Sequence, residues 1–382
     1  MKRRIVYISG TRADYGLMRS VLFKINTSEE FELVIVATGM HLLAGFGNSI
    51  DEIVKDGFTI SLINVVPKKD TRESMPIFIG KFLAALSREL ERIHPDLILL
   101  LGDRGEMLAG AIAGTYLGIP IAHLHGGEIT STVDEPVRHA ITKLANIHMA
   151  ATEKSMERIL LMGEDPAHVH LVGAPGLNAI LDGRYTPAES LKKKYPIMLG
   201  EPFILCIQHP VSAEVDAAPE QMRETLEAIR ETGYRTIVVY PNADAGGQRM
   251  ISVIREYEIL PFISCYRNLP HEDYLGLLSM ASVLVGNSSS GIIEAASFHI
   301  PVVNIGTRQA GRERAINVID VGYDQREIVT AIQRSFEDEQ FLAIVRSCPN
   351  PYGDGKAPDK ILAILKGIPF GHFDIQKQLR YK

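Results

Sequence analysis

Cysteine is scarce in this chain. Cys206, Cys265 and Cys348 are the whole complement, far apart and without metal-like spacing. That argues against a disulfide framework and fits a reducing compartment. Long apolar runs are missing too: no stretch reaches the roughly 18 residues that a membrane-spanning helix needs. The first apolar run, Ile5–Ile8, is too short for the core of a signal peptide and reads as a strand. Positive charge is not in excess. Lys and Arg number 40 against 46 Asp and Glu, a net charge of -6, whereas a phosphate-backbone binder needs a basic face. These absences point to a cytoplasmic protein with neither nucleic-acid nor membrane partners. Internal repeats and low-complexity segments are also lacking. No GxGxxG follows the first strand and no GxxxxGK[ST] occurs, which disfavours nicotinamide dinucleotides and P-loop chemistry.

What is present is ordinary globular composition, with 46% hydrophobic and 23% charged residues over 382 positions. At about 100–200 residues per domain, that length predicts two domains. Short β-rich runs alternate with helix-length amphipathic segments. The expected strands are Arg4–Ser9, Glu32–Thr38, Thr59–Val65, Asp96–Leu101, Ile119–Leu124 and Ile147–Thr152. A second set comprises Phe203–Gln208, Thr236–Tyr240, Phe262–Cys265, Val283–Gly286 and Val302–Ile305. Runs such as DLILLLG are apolar on both faces, as in parallel sheets covered by helices. The alternation therefore predicts an α/β protein of two Rossmann-like domains with a cleft between them. The polar stretch near 175–200 separates a domain at 1–180 from one at 200–360. The segment 361–382 is expected to pack back on the first.

In open α/β sheets, ligands sit beyond the carboxyl ends of the strands. There this sequence places Arg12 after the first expected strand and His41 after the second. Asp103-Arg104, His125, His209-Pro210, Asn242, Asn287-Ser288-Ser289-Ser290 and Arg308 follow others. Gly, Asn, Asp and Ser also make plain turns, but turns have no need of Arg12, His41, Arg104, His125, His209 or Arg308. The pattern suits an anionic ligand. The run 286–291 follows an apolar strand and opens a helix expected at Ile292–Phe298. Small hydroxyl residues at such a helix start suit a diphosphate, although one Ser would suffice as an N-cap. Glu294, one turn on, is placed to accept from ribose hydroxyls. His123 and His125 share one face of a strand end, but no third ligand at metal-like spacing accompanies them. Asp103 and His125 would lie side by side if their strands neighbour. Asp134, before the helix Glu135–Ala145, fits an N-cap as well as it fits catalysis.

GTRADYG at 10–16, TGMH at 38–41, GDR at 102–104, HGGE at 125–128 and RHAITK at 138–143 resemble the UDP-N-acetylglucosamine 2-epimerases. So do HP at 209–210, PNAD at 241–244, GNSSSGIIE at 286–294 and GTRQAGR at 306–312. The resemblance runs nearly the whole chain and is nearest to the hydrolysing branch. It implies the glycosyltransferase-B fold and a homodimer or homotetramer. The implied activity converts UDP-N-acetylglucosamine and water to N-acetylmannosamine and UDP, for sialic acid biosynthesis. UDP-N,N'-diacetylbacillosamine is the alternative substrate, because the sugar C4 substituent is not legible. A non-hydrolysing epimerase, a glycosyltransferase of the same fold and a nucleotide-sugar sensor are the rivals. No cofactor or metal is called for.

The resemblance also implies roles. Arg12, Arg308, Ser288, Ser289 and Ser290 meet the diphosphate, and His209 the phosphates or the sugar. Asn242 and Tyr274 line the uridine, with Tyr274 packing on uracil, Glu294 holds the ribose, and His41 belongs to the substrate site. Asp103, Arg104, Asp134 and His125 belong to the reaction centre. Family members such as the animal enzyme carry Glu where His125 stands. The implied reaction is elimination of UDP to a glycal, then hydration with C2 reprotonated from the opposite face.

Overall fold

The computed structural model describes residues 2–42, 49–66, 73–130, 134–195, 197, 200–241, 246–369 and 375–378. The chain forms two compact units. One comprises Met1–Glu128, Val133–Asn178 and Tyr352–Lys382, and the other Ile129–Thr132 and Ala179–Pro351.

The first unit is built on seven strands: β1 (Arg3–Ser9), β2 (Phe31–Ala37), β3 (Thr59–Leu62), β4 (Leu97–Leu101), β5 (Ile121–Leu124), β6 (Ile147–Ala150) and β7 (Val169–Leu171). Their order is β3-β2-β1-β4-β5-β6-β7, all parallel. Strand alternation sends Ile5, Tyr7, Leu97 and Leu99 into one helix-covered core, and Val6, Ile8, Ile98 and Leu100 into the other. This is why β4 reads Leu-Ile-Leu-Leu-Leu and is buried throughout. The helix Ala357–Gly367 places Ile361 and Leu365 in the same core as Met18 and Leu22 of the helix Arg12–Thr27.

The second unit repeats the plan with β8 (Phe203–Ile207), β9 (Arg235–Val239), β10 (Ile263–Tyr266), β11 (Val283–Gly286), β12 (Val302–Ile305) and β13 (Val318–Val321). Their order is β10-β9-β8-β11-β12-β13, again all parallel. In both sheets the winding reverses beside the unit's first strand, at β1/β4 and at β8/β11. These are the topological switch points, where such sheets bind ligands.

The sequence reading found neither β7 nor β13. Both are short edge strands, Val-His-Leu and Val-Ile-Asp-Val, largely half-exposed, and they lack the two-faced apolar run that marks central strands. The helix expected at Ile292–Phe298 is corrected: helix Ser289–Ile293 is followed by a 3-10 turn, Ala295–Phe298, with Glu294 at the joint.

Candidate active site

At the end of β1 the chain turns into a helix through a capping box. Thr11 is the N-cap, its hydroxyl accepting from the Asp14 amide, and the Asp14 carboxylate accepts from the amides of Gly10 and Thr11 at 3.0 and 2.8 Å. Burial raises the Asp14 pKa against the Ser9 hydrogen bond and the Arg104 charge. Arg12, the first helical residue, pairs with Glu52 at 2.7 Å. His41 is fully buried. Its Nε2 meets Ser9 Oγ and its Nδ1 meets Ser49 Oγ, both at 2.8 Å.

Beneath this turn lies Glu106, a buried carboxylate. A Cβ on Gly10 would stand 2.5 Å from Glu106 Oε1, so a larger residue there would have to displace the Glu106 side chain. Arg104 Nε is 3.4 Å from Glu106 Oε2. Burial opposes the Arg104 charge, but Glu106, Asp14 and Asp134 outweigh it and raise the pKa.

After β4 and β5 the structure gathers a second cluster. Arg138, on the helix Asp134–Leu144, is only 3% exposed. Its Nη2 donates to Asp103 Oδ2, and its Nη1 to the Glu128 carbonyl at 3.0 Å. His125 Nδ1 stands 2.5 Å from Glu128 Oε1. Asp134 is the first residue of that helix and is exposed. The His123 Nε2 meets the Gly102 carbonyl at 2.7 Å and its Nδ1 meets Thr142 Oγ1 at 3.2 Å.

In the second unit, β8 and β11 approach so closely that a Cβ on Gly286 would lie 2.0 Å from the Ile207 carbonyl oxygen, at a φ of 129°. The fully buried Asn287 follows. Its side-chain oxygen accepts from the His209 amide at 2.7 Å, and its side-chain nitrogen donates to the His209 carbonyl at 2.9 Å. Its own carbonyl accepts from Arg308 Nη1 at 3.0 Å. One asparagine therefore ties the ends of β8, β11 and β12 together. Burial and the Arg308 charge push the His209 pKa down to about 3, so its ring is neutral. Ser288 caps the helix Ser289–Ile293, accepting from the Ser290 amide. The Tyr274 hydroxyl donates to Ser290 Oγ. Burial, then Glu294, push the Tyr274 pKa up. Glu294 itself is buried. Glu214 accepts from Thr307 at 2.7 Å and Tyr323 at 2.8 Å, bracing the loop that carries Arg308.

Of the residues expected from sequence, Asp103, Arg104, Asp134, His125, Arg12 and His41 thus fall at strand ends or helix starts of the first unit. His209, Tyr274, Ser288, Ser289, Ser290, Glu294 and Arg308 gather around the β8/β11/β12 ends of the second. Asn242 lies outside the described residues. Sequence reasoning assigned no role to Glu106, Glu128, Arg138 or Asn287. Glu128 and Arg138 stand inside quoted motifs, and that was the available signal.

The buried histidines make the first unit acid-sensitive. Burial lowers the His41 pKa to about 4, against Glu106 and Glu52, and the His123 pKa to about 3. Unfolded histidine titrates near 6.5. Below that pH the unfolded chain binds protons that the folded unit refuses. Stability is therefore full above about pH 6.5 and falls as pH drops, by up to about 1.4 kcal/mol per unit per histidine. Urea unfolding at pH 7 and pH 5 should show a clear loss at pH 5. A midpoint that does not move, in a His123→Asn control as in the parent, would mean that the rings are not held neutral.

Two doubly wound parallel sheets in one chain, each with polar side chains at its switch point, define the two-Rossmann, glycosyltransferase-B class. The crystal structure of UDP-GlcNAc 2-epimerase from Neisseria meningitidis bound to UDP-GlcNAc has this fold, with a TM-score of 0.83 over 95% of this chain and 99% of that one, at 18% identity. Residues 24–366 match the model of the family described as UDP-N-acetylglucosamine 2-epimerase. The UDP-N,N'-diacetylbacillosamine 2-epimerase (hydrolyzing) of Legionella pneumophila is 43% identical over 370 residues, 97% of each chain. A UDP-N-acetylglucosamine 2-epimerase of Neisseria meningitidis is 32% identical over 341 residues, 89% of each. The chain belongs to the UDP-N-acetylglucosamine 2-epimerase family and is an enzyme of that kind. Among its described residues, no helix is long and apolar enough to cross a membrane.

Proposed function

We propose that this enzyme is a hydrolysing 2-epimerase acting on UDP-N,N'-diacetylbacillosamine. The observation that carries the substrate is the 43% identity, over 97% of both chains, to a hydrolysing enzyme of that name. The reading from sequence alone preferred UDP-N-acetylglucosamine. The 32% identity to an enzyme named for that sugar keeps it as the second reading.

The reaction is an elimination followed by a hydration. A base takes the C2 proton, the C–H electrons form the C1=C2 bond, and the C1–O bond breaks to release UDP. Water then gives its hydroxyl to C1 while a proton adds to C2 from the opposite face. The products are UDP and the free sugar inverted at C2. Asp103, His125 and Asp134 are assigned to proton transfer, and Arg104 and Arg12 to the charge that develops. Each positioned acid or base contributes about 10²–10⁴-fold. Ser288, Ser289, Ser290, His209 and Arg308 are assigned to the diphosphate. A neutral His209 donates a hydrogen bond without competing with the Arg308 charge. Glu294 is assigned to the ribose and Tyr274 to the uracil. The enzyme is assigned to the cytoplasm as a homodimer or homotetramer.

The test is incubation with each UDP-sugar in D2O, followed by NMR. Free UDP and a C2-inverted free sugar carrying deuterium at C2 are expected with water alone. The diacetylated substrate should lead by about tenfold or more in kcat/KM. Equilibration of two intact UDP-sugars would place the chain in the non-hydrolysing branch. A requirement for an acceptor would make it a transferase.

A further inference from the structure

Among the described residues, three that are not glycine have positive φ: His94, His125 and His299. His94 and His299 are helix C-caps, where a left-handed residue is an ordinary ending. His125 caps no helix. It sits past the end of β5 with a φ of 59°. Such a conformation persists only where the surroundings over-determine it, and it concentrates at functional sites.

Two contacts hold it. The His125 amide donates to the Met149 carbonyl at 3.2 Å, and Nδ1 stands 2.5 Å from Glu128 Oε1. Glu128 is only 3% exposed, as is Arg138. Arg138 grips the Glu128 carbonyl, lies 4.0 Å from Glu128 Oε2, and donates to Asp103. Imidazole, carboxylate, guanidinium and carboxylate thus form one connected row. With the ring protonated, the two positive groups balance the two negative ones. With the ring neutral, one negative charge is in excess.

We propose that Glu128 is a positioning residue that makes His125 the proton carrier of the reaction, as a buried histidine–carboxylate dyad. The inference rests on the 2-epimerase reading above. Glu128 accepts the Nδ1 proton, which fixes the tautomer and leaves Nε2 to exchange with carbon. When Nε2 takes the C2 proton, the C–H electrons form the C1=C2 bond and the C1–O bond to UDP breaks. The charge gained by the ring is met by the carboxylate already at Nδ1. Arg138 holds Glu128 in place through its carbonyl and holds Asp103 in the same grip. The forced backbone of His125 is what brings Nδ1 onto a carboxylate only three residues away.

The charged and titratable groups of this cluster are Glu128 on the turn, His123 on β5, Arg138 on the helix Asp134–Leu144, Asp103 after β4, and Arg158 on the helix Glu153–Leu161, whose Nη1 donates to the Gly127 carbonyl at 3.2 Å. His148 on β6 lies beyond His123. Burial lowers the His123 pKa to about 3 and, against Glu164, lowers that of His148.

The test uses the full chain and its E128Q variant, which keeps the side-chain shape and removes the charge. UDP affinity by calorimetry should stay within about twofold, and turnover should fall by about 10²-fold or more. Loss of a neighbouring negative charge disfavours the imidazolium. The limb of the kcat profile that reports the proton carrier should therefore move to lower pH in E128Q, while histidine ¹⁵N NMR reads the tautomer. In the parent enzyme, neutral His125 should carry its proton on Nδ1. Unchanged turnover with an unchanged kcat profile would overturn the proposal, and so would a neutral ring protonated on Nε2. That last measurement stands even if E128Q fails to fold. Absence of turnover by the parent enzyme on every UDP-sugar would defeat the 2-epimerase reading instead, leaving the tautomer to judge the dyad.

Discussion

Asp103→Asn and His125→Asn should each give a folded protein that still binds UDP and turns over at least about 10²-fold more slowly. Asp103 follows β4, a strand buried throughout, so its backbone is fixed by rigid sheet. Its carboxylate accepts from Arg138, itself buried. Asparagine preserves the shape and one acceptor oxygen but can neither take nor give a proton. Arg138 would keep its bond to the Glu128 carbonyl. The stability loss should accordingly stay near that of one weakened charge-assisted hydrogen bond, about 1.5–3 kcal/mol. A purely structural Asp103 predicts a similar stability loss but normal activity in the folded fraction. Calorimetric UDP binding, thermal melts and kcat, taken together on both variants, separate the two. Near-normal turnover by Asp103→Asn would remove it from the reaction centre.

The largest structural effect is expected from Gly286→Ala. Its φ of 129° is a conformation that L side chains rarely adopt, and the added Cβ would meet the Ile207 carbonyl oxygen at 2.0 Å. Backbone cannot rotate away as a side chain can, so β8 and β11 would have to part. Their pairing runs Ile204 to Ile207 against Val283 to Gly286. The clamp of Asn287 on His209 sits at that edge. We expect a loss of at least about 3 kcal/mol in unfolding of the second unit, together with loss of UDP binding. Gly233 is the control. It is a left-handed helix C-cap, φ 68°, with nothing within 4 Å of a built Cβ. Alanine there should cost about 1 kcal/mol and leave UDP binding alone. Equal urea midpoints for the two variants would show that β8 and β11 do not approach so closely.

The central strands were legible because burial on both faces writes a continuous apolar run, as in Leu97–Leu101. The edge strands β7 and β13 were not, since three or four half-exposed residues carry no such run. Residues at strand ends could be nominated from the rule for open sheets alone, and Asp103, His125, His209 and Arg308 do stand there. The groups that hold them could not. Arg138 lies 35 residues beyond Asp103 on a helix whose sequence reads as amphipathic. Its burial appears only once that helix is packed. Asn287 and Glu128 stand in strand-end motifs, but the bonds that give them their individual meaning, to His209 and to His125, depend on three-dimensional closeness. Glu106 is hidden for the same reason: what identifies it is the space left by Gly10 above it.

The first unit is discontinuous, and this bears on how the protein is made. Its second stretch ends at Asn178 and it resumes only at Tyr352. During translation the second unit is therefore complete before the first one is, the reverse of the usual N-terminal-first order. Until Ile361 and Leu365 emerge, the core that Met18 and Leu22 share with Ile5, Tyr7, Leu33 and Ile35 of β1 and β2 lacks its C-terminal helix. The nascent chain must carry this unfinished core through the synthesis of more than 170 residues (179 to 351). Chaperone demand should thus fall on that core, and a nonsense mutation between Pro351 and Leu365 should be felt there.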